Sequence, residues 1–195
     1  FIPRLWATRR VGYLLDEIRL HGENAELRDE VTELARRYNI VTPYTAYLIV
    51  EDESRRNVPM PLRSMQRFDH DTKAREEGAR AWTAFNAEKS GGEAVAGAMS
   101  SGMLKRYDNA QTLQALPSVP GTSRVQQYTQ QSRFVNGRAF YQNGAQWIDA
   151  NVQKLPNARR VQVKFNSDEY FALLTRHPHA AQWLSIGKNV QLELD

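Results

Sequence analysis

The chain has no cysteine, which excludes disulfides and cysteine-ligated zinc and leaves the redox compartment open. No apolar run approaches the length of a membrane-spanning helix. The N-terminus reads Phe1-Ile2-Pro3, without the basic and apolar regions of a signal peptide and without an initiating Met, and this fits a processed or truncated chain. Neither sign of charge dominates. The 26 basic and 22 acidic residues leave a net charge of +4, with arginines and acids interleaved, as in Arg28-Asp29-Glu30 and Arg75-Glu76-Glu77. A nucleic-acid footprint would gather its arginines on one face, so these charges read as solvated surface and no nucleic-acid partner is expected.

Catalytic patterns are equally scarce. There is no glycine-rich phosphate loop, no Gly-x-Ser-x-Gly elbow and no His-Glu-x-x-His. His177 and His179 flank Pro178 at a spacing that does not place both on one helix face, so a surface corner is preferred over a metal site. His70, between Asp69 and Asp71, reads as solvated, and Asp149 reads as closing a hairpin. These residues nominate no catalytic group, no cofactor and no metal, and the chain is read as a non-enzyme. The four tryptophans sit beside apolar neighbours and read as core.

What is present divides into three stretches. In residues 1–51, Val11, Leu14, Leu15 and Ile18 share one helical face, and Gly22 is a suitable stop. Asn24 can cap a second helix striped by Leu27, Val31, Leu34 and Tyr38. Pro43 disfavours helix at Thr42, and the aromatic and β-branched run over 44–50 predicts a strand. Residues 52–131 predict a proline-broken loop, helices over 62–88 and 93–116, and a polar linker over 117–131, with partial disorder through this middle region. In residues 132–195, Asn136-Gly137 and Asn143-Gly144 predict hairpin turns within a small antiparallel meander. The alternation of Val161, Val163 and Phe165 predicts a fourth strand. A helix capped by Ser167 follows, then a short helix from Pro178 to a stop at Gly187, and Val190, Leu192 and Leu194 alternate as a last strand. The class is α+β: an N-terminal helical pair plus one strand, a helical and partly disordered middle, and a C-terminal β-meander with two helices.

Arg4-Leu5-Trp6-Ala7, a long helix, and then Ile40-Val41-Thr42-Pro43-Tyr44-Thr45 resemble a segment of inter-alpha-trypsin inhibitor heavy chains. The pattern is closer still to bacterial relatives that carry a VIT domain followed by a von Willebrand factor A domain. Phe140-Tyr141, Trp147-Ile148-Asp149 and Asp168-Glu169-Tyr170-Phe171 resemble the C-terminal part of those proteins, so the likeness covers the two ends of the chain. The animal pattern has Ser where this chain has Ala46. The resemblance implies that residues 1–51 are the end of an A-domain-like region and its returning strand. It also implies that any divalent metal belongs to an upstream A domain, since no Asp-x-Ser-x-Ser occurs here. The implied function is a non-catalytic interaction or adhesion module, extracytoplasmic or in the cell envelope. Its partners would be upstream VIT and A domains or a separate protein chain, docked through Leu5, Trp6, Val11, Tyr44, Tyr47 and Ile49. The alternative is a small hydrolase-like or ligand-binding unit in residues 132–195 built on Asp149, His177 or His179.

Overall fold

The computed structural model describes residues 2–87, 90–108, 118–155 and 157–194. Helix α1 (Ile2–His21) buries Ala7, Val11, Leu14, Leu15 and Ile18, the stripe expected from their spacing. Gly22 ends it at φ 98°. The Asn24 side chain accepts from the Leu27 amide at 2.9 Å to start α2 (Ala25–Tyr38), and Asn39 closes that helix in the left-handed region.

The predicted strand over 44–50 is a helix. Helix α3 (Pro43–Arg55) begins with a capping box: the Thr42 amide donates to Thr45 Oγ1 at 2.8 Å, and the Thr45 amide donates to Thr42 Oγ1 at 3.2 Å. Pro43 takes the first helical turn, where its missing N–H costs nothing. Tyr44, Thr45, Ala46, Leu48, Ile49 and Val50 are all buried, so the helix is apolar on every side, and local strand propensity yields to packing.

The middle of the chain is helical, as expected. After a 3-10 turn at Met60–Leu62 come α4 (Gln66–His70), α5 (Thr72–Ala87) and α6 (Gly92–Lys105). The predicted helix over 93–116 is seen to Lys105, and 109–117 lie outside the described residues. Within 117–131, read as a polar linker, α7 (Ser123–Thr129) forms and buries Val125 completely. Trp82, Phe85 and Leu104 join the core of α1, α2 and α3, so this stretch contributes packing as well as connection.

Helices α1 and α6 run antiparallel in close contact. A Cβ on Gly12 would lie 2.6 Å from the Lys105 amide nitrogen and 2.8 Å from Leu104 Cβ. One turn further, Asp16 pairs with Lys105 at 2.6 Å and accepts from Ser101 Oγ at 3.3 Å.

Strands β1 (Ser132–Val135), β2 (Arg138–Asn143) and β3 (Gln146–Asp149) form the antiparallel meander. The first hairpin turns on Asn136 and Gly137, both at positive φ, as expected. The second is displaced by one residue. Asn143 pairs with Gln146, so Gly144 and Ala145 are the central pair, with Gly144 at φ 63°. Asn143 is thereby free to bond outward: it accepts from the Gln66 amide and donates to the carbonyls of Arg63 and Ser64, each at 3.0 Å.

A 3-10 segment, Ala150–Lys154, leaves the sheet. The predicted strand at 161–165 is absent; that stretch has no regular structure and pairs with no other strand. Helix α8 (Asp168–Arg176) is capped by Ser167, as expected. A 3-10 turn, Pro178–Ala180, and α9 (Ala181–Leu184) follow. The last strand, β4, is shorter than expected, Val190–Gln191, and runs parallel to β3, giving the order β1-β2-β3-β4. The fold is α+β. One sheet face packs on the helices through Ala139 and Tyr141, and the other is covered by Ala180 and Trp183. Among the described residues no helix is long and apolar enough to cross a membrane.

The α1–α6 approach yields a direct test. Gly12→Ala should lower stability by roughly 1–3 kcal/mol, because the methyl group meets backbone that cannot move aside. Gly92→Ala, where a Cβ meets nothing within 4 Å, should leave the urea midpoint unchanged or slightly raised.

Candidate functional site

A dense cluster of ionisable groups lies where α2, α3 and the 3-10 segment after β3 converge. Glu53, near the C-terminus of α3, is 1% exposed. Both its oxygens accept from the Ser64 amide, at 3.0 and 3.1 Å. Gln153 Nε2 donates to Oε1 at 2.6 Å and to Ser64 Oγ at 2.8 Å. The Arg36 guanidinium, 5% exposed, approaches the same Oε1 to 3.6 Å, bonds Asp52, and reaches Glu33 at 3.2 Å. Arg56 bonds Asp52 at 2.9 Å and Gln153 Oε1 at 3.3 Å. The hydroxyl of Tyr141, fully buried on β2, donates to the Arg36 carbonyl at 3.0 Å.

Burial sets the charges in opposition. Removal from water pushes the Glu53 carboxyl up, against the pull of Arg36 and of its hydrogen bonds. For Asp52 the desolvation is outweighed by Arg36 and Arg56, and the carboxyl is held below its ordinary value. Glu33 is likewise lowered, by Lys154, Arg36 and Arg37 acting against burial.

Above this network opens a cleft of about 260 Å³. Its cations are already matched: Arg55 with Asp29 at 2.5 Å, Lys154 with Glu33 at 2.5 Å, and Arg36 and Arg56 with Asp52. An incoming anion would have to displace a carboxylate. The arrangement is suited to clasping the sheet to the helices.

The structure separates the six residues expected to dock a partner. Val11, Tyr44 and Ile49 lie inside the chain's own core, each no more than 1% exposed, because α3 is a central helix instead of a returning strand. Leu5 and Tyr47 are half-buried, with Tyr47 packed against that core and its phenol pushed up to about 12 chiefly by burial. Trp6 alone stands clearly outward, at 56% exposure. With it on α1 stand Ile2, Tyr13 and Leu20, all more than half exposed. Positions 2, 6, 13 and 20 fall within roughly 40° of one another around a helix that advances 3.6 residues per turn. The seven-residue spacing of 6, 13 and 20 was the available signal, masked by the stronger inward stripe of the same helix. Lys105 Nζ lies 5.6 Å from the Tyr13 ring centroid and adds a cation beside the row.

The alternative residues are occupied structurally or lie apart. Asp149 is fully buried, with one oxygen accepting from Arg138 at 2.8 Å and the other from the Asn151 amide at 2.9 Å. The rings of His177 and His179 meet edge to face at 6.1 Å, and His179 packs on Trp183. His70 is exposed at the end of α4. Among the described residues no group of three or more His, Asp and Glu side chains is placed to hold a metal ion. No family model matches the chain, and no curated protein and no solved structure matches it.

Arg36→Met should cost roughly 3–5 kcal/mol at neutral pH by leaving Asp52 and Glu53 buried without their shared cation. Arg36 is the largest of the groups that pull the Glu53 carboxyl down against burial, so its loss raises that folded-state value further above the unfolded 4.5. The part of the penalty carried by Glu53 is then complete above the variant's raised value and shrinks as pH falls from there to the wild type's own folded value, which burial already holds above 4.5. Urea unfolding of both proteins along a pH series checks the sign.

Proposed function

We propose that the chain is a non-catalytic interaction module that assembles with other protein domains through the outward face of α1. The observation that carries this reading is the row of Ile2, Trp6, Tyr13 and Leu20 on a helix whose opposite side is already anchored in the core. Aromatic side chains held on a rigid helix are effective anchors, because little conformational freedom remains to be lost on binding. The partner class that the sequence resemblance suggests is a VIT and A-domain pair, either in the same polypeptide or in a separate one. In that reading a divalent metal belongs to the A domain and the present chain supplies none of its ligands.

The test is a calorimetric titration of the chain with a purified VIT/A-domain pair from the bacterial family it resembles. Binding that is lost in Trp6→Glu and Tyr13→Glu is the expected outcome. A folded, monomeric chain that gives no heat with the pair would remove the reading. Tryptophan emission supplies an independent check on the surface. Trp82, Trp147 and Trp183 are each no more than 8% exposed, so acrylamide should quench mainly Trp6, and Trp6→Phe should abolish most of the quenchable signal.

A further inference from the structure

Residues 159–166 form a stretch whose sequence and surroundings disagree. Val161, Val163 and Phe165 alternate with Arg160, Gln162 and Lys164, the period-two pattern of a strand with one apolar and one basic face. Yet among the described residues the amides of 159–166 donate no hydrogen bond, and Arg159, Arg160 and Lys164 enter no ion pair. Val161 is 68% and Phe165 46% exposed. The following helix continues the anomaly: Tyr170, Phe171, Leu173 and Leu174 lie on α8, which has no buried residue. The Phe165 and Tyr170 rings meet at 5.2 Å, and Tyr170 meets Phe171 at 5.5 Å, so the end of the stretch is joined to α8 by aromatic contact.

We infer that residues 160–165 are a donor strand that adds to the edge of a partner protein's β-sheet, the partner strand carrying Asp or Glu on one face and aliphatic side chains on the other. The inference deepens the reading of the chain as an interaction module and adds a second surface to it. Addition to an edge satisfies the idle amides, while pockets for alternate side chains supply specificity. Charge selects the occupant. The segment 157–166 contains three cations and no acid. Pairing two copies antiparallel about Gln162 sets Arg160 opposite Lys164, which is unfavourable, and every register leaves the two basic segments without an acid between them. An acidic edge strand meets Arg160 and Lys164 with opposite charge. Once the strand is docked, α8 can cover the apolar face of the extended sheet.

The experiment uses the whole chain and two labelled, capped peptides, one alternating Glu with Val and the other Lys with Val. The Glu–Val peptide should bind at least about five-fold more tightly, from two opposite-charge cross-strand pairs, and the difference should narrow with added salt. Amide exchange over 160–165 should slow on binding. The exposed double substitution Arg160→Glu, Lys164→Glu should reverse the peptide preference, and Val163→Pro should abolish binding, both with unchanged unfolding midpoints. Equal binding of the two peptides, no binding, or unprotected amides in the complex would overturn the inference. Should the Trp6 surface engage the VIT/A-domain pair while the Glu–Val peptide fails, this inference alone falls. The reverse result removes the α1 reading and leaves this one standing.

Discussion

The buried Glu53 carboxylate is the point on which the arrangement of helices and sheet depends. Its partners come from separate parts of the chain: the Ser64 amide before α4 and the Gln153 side-chain amide after β3 donate to it, and the Arg36 guanidinium on α2 lies 3.6 Å away as its counter-charge. A charge removed from water at that cost persists only when its partners are held in place. Each partner is held in turn. Ser64 is fixed by the Asn143 bond to its carbonyl, Arg36 by Asp52 and Glu33, and Gln153 by Ser64 and Arg56. The network therefore specifies how the meander sits on the helices, a task that the smooth apolar contacts of Ala139 and Tyr141 would perform less selectively.

Helix α3 is the structural precondition. It lies between α2, α5 and α7, and because it is apolar along its first turns and acidic at its end it both fills the core and delivers Asp52 and Glu53. Removing the helix from the surface consumes the apolar residues that a partner would otherwise cover. The large apolar side chains that the first fifty residues still expose are correspondingly few, and they lie on α1.

Much of this was legible in the sequence. The two stripes of α1 and α2, the Asn24 cap, the Gly22 stop, the Asn136-Gly137 turn and the Ser167 cap are local signals, and each appears where its chemistry requires. The failures share a physical cause. Residues 44–50 carry strand-forming side chains, but the Thr42–Thr45 box and Pro43 start a helix at them, and a helix with buried residues all round its first two turns shows no periodicity to reveal itself. Residues 161–165 carry a strand pattern, but a strand needs a neighbouring edge, and alternation does not say whether one exists. The Glu53 network was invisible because Gln153 lies a hundred positions away in sequence, and the outward row on α1 was overshadowed by the inward one.

The parallel pairing of β3 with β4 has a consequence for everything between them. Trp147 faces Val190 and Ile148 faces Gln191, so the intervening chain is tethered at both ends to the same sheet. The entropy of closing that loop is already lost on folding and grows only slowly with length. A segment held this way samples a confined volume near its own sheet and avoids the wide excursions of a free tail. Whatever meets it encounters residues 160–165 and α8 close together, in a fixed order and with a limited range of approach.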